Sequence, residues 1–448
     1  MLSDVIAALA TPAGRSALAL IRVSGEGAHT VVGTVLSPFQ REPPRMARRT
    51  RAINPETKEL LDEVLYTVFA APASYTGQDL VEIGVHGGLL APAEVLGALF
   101  AAGARQALPG EFTRRALLNG KVDLLQAEAT ADLIDASAPA QRRAAINQLD
   151  RGLSQRIDAL RDRVLALEAL VSYEIDFPEE DSGPVPPERI GAALDELRAA
   201  LELILRTAGE GERLRDGALC VIAGIPNAGK SSLFNALLGV DRAIVTEIAG
   251  TTRDAIEAPA TCGGFPFRLI DTAGLTQSGD QVERLGVEVS RRYLAAADVV
   301  LYCAEAGREM DDEERRFLET VAAPLVIVRT KIDRTGERGW DRQREVGVSA
   351  LTGEGLAELR EELARVAFTR LSCSADVEPV VTRERHRVAL SRALEEVNAF
   401  GVARERGLEG AVAATHLRAA VTALEDVIGL VTTDDVLDSV FSTFCIGK

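Results

Sequence analysis

The fold of the middle of the chain is decided by one stretch, Gly224-Ile225-Pro226-Asn227-Ala228-Gly229-Lys230-Ser231. It has the form G-x-x-x-x-G-K-[ST], and it stands between an apolar run (218–224) and a helical pattern (231–239). In that context the glycines turn backbone N–H groups toward a phosphate, and the helix N-terminus adds partial positive charge. We therefore predict a phosphate-binding loop in which Lys230 reaches the β/γ oxygens and Ser231 ligates Mg²⁺.

The sequence around this loop alternates between apolar runs and polar or helical stretches. The runs that predict buried strands are 218–224, 265–272, 298–304, 324–330 and 345–349. Strands of this kind separated by helices are typical of a parallel sheet covered on both faces. We predict a doubly wound α/β domain over residues 215–372.

Four more short motifs follow in the order that a guanine-nucleotide domain needs: 250–254 (GTTRD), 271–274 (DTAG), 330–333 (TKID) and 349–351 (SAL). Asp333 offers a carboxylate that can accept two N–H bonds from guanine, a pattern that adenine does not supply. GTP is therefore expected rather than ATP. The nucleotide-binding residues predicted from these motifs are Asn227, Ala228, Gly229, Lys230, Ser231, Ser232, Thr251, Thr252, Asp271, Thr272, Ala273, Gly274, Thr330, Lys331, Asp333, Ser349, Ala350 and Leu351.

Two positions depart from common guanine-nucleotide patterns. Thr330 stands where N-K-x-D has Asn, which predicts loss of the amide that bridges base and phosphate loop, worth about 1 kcal/mol. Leu275 stands where Ras-like enzymes have the Gln that orients the attacking water. Glu283 is a candidate for that task, although an exposed glutamate on a helix surface is the simpler interpretation. Asn227 is a candidate oxygen ligand for a monovalent cation in place of an arginine finger.

The remaining sequence indicates two further kinds of structure. Residues 1–120 show short strand patterns, such as 17–23 and 80–85, and a helical pattern near 94–100, which predicts a small α+β domain. Residues 121–214 and 373–448 carry apolar residues at three- and four-residue spacing. We predict a multidomain α/β protein in which the α/β domain is inserted into one discontinuous helical-bundle domain.

Composition limits the function classes. Hydrophobic residues make up 47% and the net charge is −17, so nonspecific binding of nucleic acid phosphates is not expected, and RNA contacts must be local or come from a partner. The five cysteines form no C-x-x-C pair, which disfavours a disulfide framework or a zinc site. No run of about 18 apolar residues and no basic leader is present, so we expect a cytoplasmic protein without membrane contact.

From end to end the chain resembles the MnmE (TrmE) family of tRNA-modification GTPases. The segments that carry the resemblance are TPAGRSALALIRVSG, SYTGQDLVEIGVHGG, PGEFTRRALLNGKVDLLQAEATADLIDA, GIPNAGKSSLFNALLG, AIVTEIAGTTRD, DTAGL and the terminal FCIGK. The resemblance implies a folate-binding and dimerisation domain over residues 1–120, a helical domain over 121–214 and 373–448, and a GTPase domain over 215–372.

The resemblance also implies site residues. K⁺, which stimulates hydrolysis in the family when two GTPase domains of a homodimer meet, would contact Asn227, Thr246, Ile248 and Thr251, with Thr246 also part of the nucleotide site. Mg²⁺ would contact Ser231 and Thr252, and Glu283 would orient water. A formyl- or methylene-tetrahydrofolate would contact Arg22, Glu82, Lys121 and Lys448. For Cys445 both a nucleophilic and a structural role stay open.

The function implied is GTP hydrolysis coupled to tRNA modification. With an FAD-dependent partner similar to MnmG, the chain would help add a (carboxymethyl)aminomethyl group at C5 of the wobble uridine of certain tRNAs, the folate supplying one carbon. Two alternatives stay open. One is a ribosome-assembly switch of the Era or Der kind, and the other is a folate-dependent methyltransferase that uses GTP only for regulation.

Overall fold

A computed structural model describes residues 3–41, 43–176, 186–239, 257–272, 292–335, 345–373, 380–431 and 433–448. The chain divides into two compact units, Met1–Ala131 with Ile428–Lys448, and Asp132–Val427. The sequence-based boundaries at residues 120, 214 and 372 stay predictions.

The first unit is built on a mixed sheet. In the described residues its strand order is β3-β4-β5-β6-β2-β1-β7. The strands are β1 (Ile6–Leu9), β2 (Gly14–Ser24), β3 (Leu36–Ser37), β4 (Arg48–Ile53), β5 (Leu60–Phe69), β6 (Leu80–Gly88) and β7 (Arg105–Gln106). β2 pairs with β6 in antiparallel register, Ile21 opposite Ile83 and Arg22 opposite Glu82. The 17–23 and 80–85 patterns thus lie within two adjacent strands.

Helices cover one face of this sheet. α1 (Ala28–Val35) and α2 (Leu90–Ala101) share a buried core with the inward residues of β2, β5 and β6. Successive strand residues point to opposite faces, so residues such as Leu18, Leu20 and Arg22 lie on the other face. α3 (Glu111–Leu118), the start of α4 (Leu124–Asp135) and α15 (Asp434–Ser442) complete the unit and pack through Leu124, Leu437 and Phe441, among others.

A charged network holds the N-terminal segment to α3. Arg115 is fully buried, and its guanidinium bonds Asp4 at 2.8 Å and Glu111 at 2.9 Å. Arg105 donates to the same two carboxylates. Burial opposes ionisation of Glu111, but the hydrogen bonds from Arg105, the Leu108 N–H and Arg115 outweigh it and lower the pKa of Glu111. The network therefore depends on Glu111 being ionised.

The second unit contains amphipathic helices that pack on one another. They are α5 (Pro139–Leu149), α6 (Gly152–Asp176), α7 (Pro187–Leu205), α8 (Ala208–Asp216), α13 (Glu384–Glu405) and α14 (Gly410–Ile428). α7 buries Ile190, Leu194, Leu197, Leu201 and Ile204, which recur at three- and four-residue spacing and form one apolar stripe. α7 packs against both α6 and α13, so helices from before and after the α/β part form one bundle.

The second unit also contains a sheet with strand order β13-β12-β11-β8-β10-β9 in the described residues. The strands are β8 (Ala218–Gly224), β9 (Glu257–Cys262), β10 (Phe265–Asp271), β11 (Val299–Glu305), β12 (Leu325–Thr330) and β13 (Glu345–Val348). All described pairings are parallel except that of β9 with β10. α9 (Lys230–Leu238), α10 (Asp312–Thr320), α11 (Ile332–Thr335) and α12 (Leu356–Ala367) connect or flank them.

The predicted fold class is confirmed. The chain combines an α+β unit, a helical bundle formed from separated segments and a doubly wound α/β part with the phosphate-loop motif. Because β10 and β11 lie on opposite sides of β8, the strand order reverses there, and ligands of such folds bind at the carboxyl end of the strand at the reversal. No helix in the described part of the chain is long and apolar enough to cross a membrane.

Candidate functional sites

The phosphate-binding loop lies between β8 and α9, at the predicted edge of the sheet. Gly224 has φ 142°, and a Cβ there would lie 2.5 Å from the carbonyl oxygen of Cys303, so only glycine fits. Gly229, φ 88°, is the N-cap of α9, and Asn227 has φ 63°. These conformations place the loop around the positive end of α9, where an anion is stabilised.

Lys230 is the cation of this loop. Its Nζ donates to the carbonyl oxygens of Gly224 at 2.9 Å and Ile225 at 2.8 Å, so the side chain folds back over the loop. Burial lowers the pKa of Lys230, whereas nearby Cys303 and Asp271 raise it. A phosphate brings negative charge to this buried ammonium group and favours its protonated form.

Thr330 contacts the phosphate loop through its hydroxyl. Its hydroxyl donates to the Ala228 carbonyl at 2.7 Å, with the Ala304 carbonyl also near at 3.3 Å, and its side chain faces Gly229. The hydroxyl thus keeps a bond to the phosphate loop although the amide is absent, and the lower nucleotide affinity expected from Thr330 stays a prediction. The Thr330 hydroxyl, attached to Cβ, reaches the Ala228 carbonyl because β12 ends directly beside the loop.

The TKID and SAL motifs meet at the ends of β12 and β13. The Ser349 hydroxyl donates to Asp333 Oδ1 at 2.6 Å, and Ser349 is fully buried. Lys331 Nζ donates to the Asn227 carbonyl at 2.8 Å and to Glu305 Oε2 at 2.9 Å. The Lys331 hydrogen bond and charge lower the pKa of Glu305. Asp333 is thus oriented by a buried hydroxyl, and Lys331 ties the base end of the site to the phosphate loop.

A cavity of about 940 Å³ opens at the phosphate loop. Besides the loop, Ser231, Ser232, Thr272 and Lys331 line it. Thr272 is held by a hydrogen bond from its hydroxyl to the Ile222 carbonyl, 2.8 Å long, and Asp271 ends β10 beside it. Ala350 and Leu351 follow Ser349, and Leu351 is 86% exposed.

One wall of the cavity contains residues that belong to none of the nucleotide-binding motifs. Tyr302 donates its hydroxyl to Glu314 Oε1 at 2.8 Å, and Arg308 binds both oxygens of Glu314, which is nearly fully buried. Burial and the Glu314 carboxylate raise the pKa of Tyr302. Glu314 carries a sequence signal, since Asp311 and Glu314 form a capping box at α10, but that signal indicates a helix start rather than a pocket wall.

Several predicted residues lie outside the described residues: Thr246, Ile248, Thr251, Thr252, Ala273, Gly274 and Glu283. For Mg²⁺, the Ser231 hydroxyl lines the cavity and the Asp271 carboxylate is close enough to Lys230 to raise its pKa. Hard oxygen donors beside a phosphate site suit that ion. For K⁺, Asn227 is the one proposed ligand within the described part, and it lines the same cavity.

Three of the four predicted folate residues come together in the first unit. Arg22 Nε donates to Glu82 Oε1 at 2.9 Å, and Arg22 Nη1 donates to the Gly447 carbonyl at 3.3 Å. Partial burial and the charge of Arg22 lower the pKa of Lys448, against the opposing effect of Glu82. The Tyr75 ring lies 5.9 Å from the Arg22 guanidinium. A carboxylate, two cations and an aromatic face suit a ligand with a flat ring and carboxylates.

The terminal FCIGK segment is held by backbone contacts. Gly447 has φ 96°, and a Cβ there would lie 2.4 Å from the Leu9 carbonyl oxygen. The N–H groups of Gly110 and Phe112, at the start of α3, donate to the carbonyls of Cys445 and Lys448. The Cys445 side chain is exposed. These contacts place Lys448 beside Arg22, and they leave the role of Cys445 untested.

Lys121, the fourth predicted folate residue, follows α3 and contacts a different part of the first unit, the 72–77 loop. Its Nζ donates to the Pro72 carbonyl at 3.0 Å, and its carbon chain lies beside Gly77. No direct bond joins it to Arg22 or Glu82 in the described structure. It is therefore placed along the 72–77 loop and not in the cluster at Lys448.

Comparison with known proteins gives two family matches. The N-terminal domain model of the GTP-binding protein TrmE matches residues 5–121, and the MnmE helical-domain model matches residues 124–445. A tRNA modification GTPase MnmE of Moorella thermoacetica is 42% identical over 100% of this chain and 100% of that protein. The protein of that name from Aquifex aeolicus is 40% identical over 99% of this chain and 100% of its own length.

Proposed function

The chain belongs to the MnmE family of tRNA modification GTPases, and from that premise we propose that it hydrolyses GTP to drive modification of the wobble uridine of certain tRNAs. In this proposal it acts in the cytoplasm as a homodimer with an FAD-dependent partner similar to MnmG. The product carries an aminomethyl or carboxymethylaminomethyl group at C5, and a one-carbon tetrahydrofolate supplies the added carbon.

One observation carries the nucleotide part of the proposal. The glycine-rich loop after β8 carries Lys230, and α11, directly after β12, carries Asp333, which the buried Ser349 hydroxyl orients. The first suits phosphates, and the second suits the two N–H groups on the guanine edge. GTP is therefore the substrate that the site fits.

Hydrolysis requires water to attack the γ-phosphorus while the bond to the β-phosphate oxygen breaks, giving GDP and phosphate. Lys230 and the N–H groups of the loop stabilise the negative charge on the phosphate oxygens. Ser231 and Thr252 would hold Mg²⁺, and that ion would supply positive charge to the phosphates. Glu283 would orient the water. Asn227, Thr246, Ile248 and Thr251 would hold K⁺, whose charge takes the place of an arginine finger.

The first unit supports the folate and dimer parts of the proposal. Glu82 can accept N–H bonds from a pterin ring, and Arg22 and Lys448 can bind carboxylates. On the same sheet face Leu18 is 65% and Leu65 52% exposed. Exposed leucines on a sheet face favour coverage by another surface, and a second copy of the chain is the occupant we propose.

The net charge supports a role for the partner in binding tRNA. A net charge of −17 repels the RNA backbone over most of the surface. We propose that most tRNA affinity comes from the complex, and that GTP-driven opening and closing of paired GTPase domains passes to the modification site through the helical bundle. Tight, salt-sensitive tRNA binding by the isolated chain would contradict the proposal that most tRNA affinity comes from the complex.

The proposal is tested with Glu283→Ala beside a matched control, Glu358→Ala, an exposed glutamate on α12. We expect Glu283→Ala to bind GTP normally, to lose hydrolysis and to lose the modified wobble nucleoside in cells, with the control unchanged. Normal wobble modification with Glu283→Ala would favour the methyltransferase that uses GTP only for regulation. Equal GTP turnover in KCl and NaCl at the same ionic strength would contradict the proposed role of K⁺ in hydrolysis.

A further inference from the structure

Basic residues are concentrated in one short stretch of an otherwise acidic chain. Residues 41–51 contain five arginines and one glutamate, against a net charge of −17 for the whole chain. Among these arginines, Arg45 contacts the 72–77 loop, whose Tyr75 ring lies against Arg22. Its Nη2 donates to the Ala73 carbonyl at 2.9 Å, and its side chain is exposed.

Arg45 and Lys121 bind neighbouring residues of this loop. Lys121 Nζ donates to the carbonyl of Pro72, and Arg45 donates to that of Ala73. A guanidinium has five N–H donors and an ammonium three. In the described residues neither cation forms an ion pair with a carboxylate, so each keeps donors for a ligand.

The same loop connects these two cations to the proposed folate site. Tyr75 follows Ala73 by two residues, and its ring lies against Arg22. The four residues from Pro72 to Tyr75 span at most roughly 14 Å even when fully extended. Three cations, Lys121, Arg45 and Arg22, therefore contact residues of one short loop, and Glu82 is bonded to Arg22.

We propose that Arg45 and Lys121 form a site for the γ-linked glutamate chain of a polyglutamylated folate. With the ring at Glu82 and the first glutamate at Arg22 and Lys448, each added glutamate extends along the loop and brings one more carboxylate to Lys121 and Arg45. The inference rests on the folate site of the proposed function. RNA phosphates are the competing occupant, and the glutamate chain is favoured because the loop that both cations contact also carries Tyr75, whose ring lies against Arg22.

The test titrates the full-length protein with 5-formyl-tetrahydrofolate that carries one or three glutamates. We expect the triglutamate to bind about three- to tenfold more tightly, the range for two exposed ion pairs, and the advantage to shrink at high salt. Arg45→Gln should reduce this advantage below about twofold and leave monoglutamate affinity unchanged. Arg15→Gln, an exposed arginine at the opposite end of β2, is the control and should keep the advantage.

The outcomes separate the inference from the proposed function. If the wild-type protein binds both ligands equally, or if Arg45→Gln keeps the advantage, the glutamate-chain site is overturned. If Arg45→Gln keeps the triglutamate advantage but loses tRNA retention on filters, while Arg15→Gln still retains tRNA, the surface binds RNA instead. If no monoglutamate binds at all, the folate site itself is rejected. GTP turnover, which depends on residues of the other unit, verifies that each variant is folded.

Discussion

Thr330→Val tests whether a hydroxyl holds the phosphate loop to β12. Valine keeps the branched shape of threonine but cannot donate, so the Ala228 carbonyl, 2.7 Å from the hydroxyl oxygen, loses its partner. Thr330 is 5% and Ala228 1% exposed, so water does not readily replace the bond. A loop released in the empty protein must be ordered again when nucleotide binds, and the loss then appears in affinity.

The size of the expected loss in nucleotide affinity follows from the net free energy of one hydrogen bond. A net contribution of about 0.5–1.5 kcal/mol corresponds to a loss of GDP and GTP affinity of about two- to thirteenfold. Titration with a fluorescent GDP analogue, followed by competition with unlabelled nucleotides, measures it. Because the bond positions the loop and touches no reacting atom, turnover at saturating GTP should change less than affinity.

Two further variants at this position serve as controls. Thr330→Ser keeps the hydroxyl and should bind within about twofold of wild type. Thr330→Asn supplies an amide that can reach both loop and base, and should bind about fivefold more tightly. If Thr330→Val binds like the wild type, or Thr330→Ser is weakened as much as Thr330→Val, the hydroxyl does not hold the loop.

Three other variants test separate parts of the structure. Ser349→Ala removes the hydroxyl that orients Asp333, and should lower GTP affinity about two- to thirteenfold in a competition titration; unchanged affinity would contradict that role. Glu111→Gln should lower the free energy of unfolding at pH 7 by about 1.5–3 kcal/mol. Because the folded-state pKa of Glu111 lies below its ordinary 4.5, this stabilisation is present above about pH 4.5 and is lost as pH falls through the folded-state value. Urea unfolding at pH 7 and pH 3 measures it, and an equal difference at both would refute the assignment. Gly447→Ala places a Cβ against the Leu9 carbonyl at positive φ, so folate titration should show at least about tenfold weaker binding, with GTP turnover kept; wild-type folate affinity would show that the tail does not build the site.

The sequence predicted the α/β strands closely because buried parallel strands are continuous apolar runs. The 218–224 run is β8, and the runs at 265–272 and 345–349 differ from β10 and β13 by one residue at the C-terminal end. β9 was not predicted because it is an edge strand with a proline, Pro259, and its residues alternate in exposure. An edge strand buries too little to leave an apolar run.

The candidate sites were predictable where a motif is continuous and less so where separate segments meet. The phosphate loop follows from local spacing alone. The link from Thr330 to Ala228 depends on the end of β12 lying beside that loop, which spacing does not give. Likewise Arg45 belongs to no motif, and only its bond to the Ala73 carbonyl places it beside the 72–77 loop.

The central claim is that GTP hydrolysis by this chain drives wobble modification of tRNA. Mass spectrometry of wobble nucleosides tests it in cells that lack the gene and are complemented with the wild-type chain or with Lys230→Ala. We expect the modified uridine to be absent without the gene, restored by the wild type and still absent with Lys230→Ala. Full modification in the deletion strain, or full rescue by Lys230→Ala, would contradict the claim.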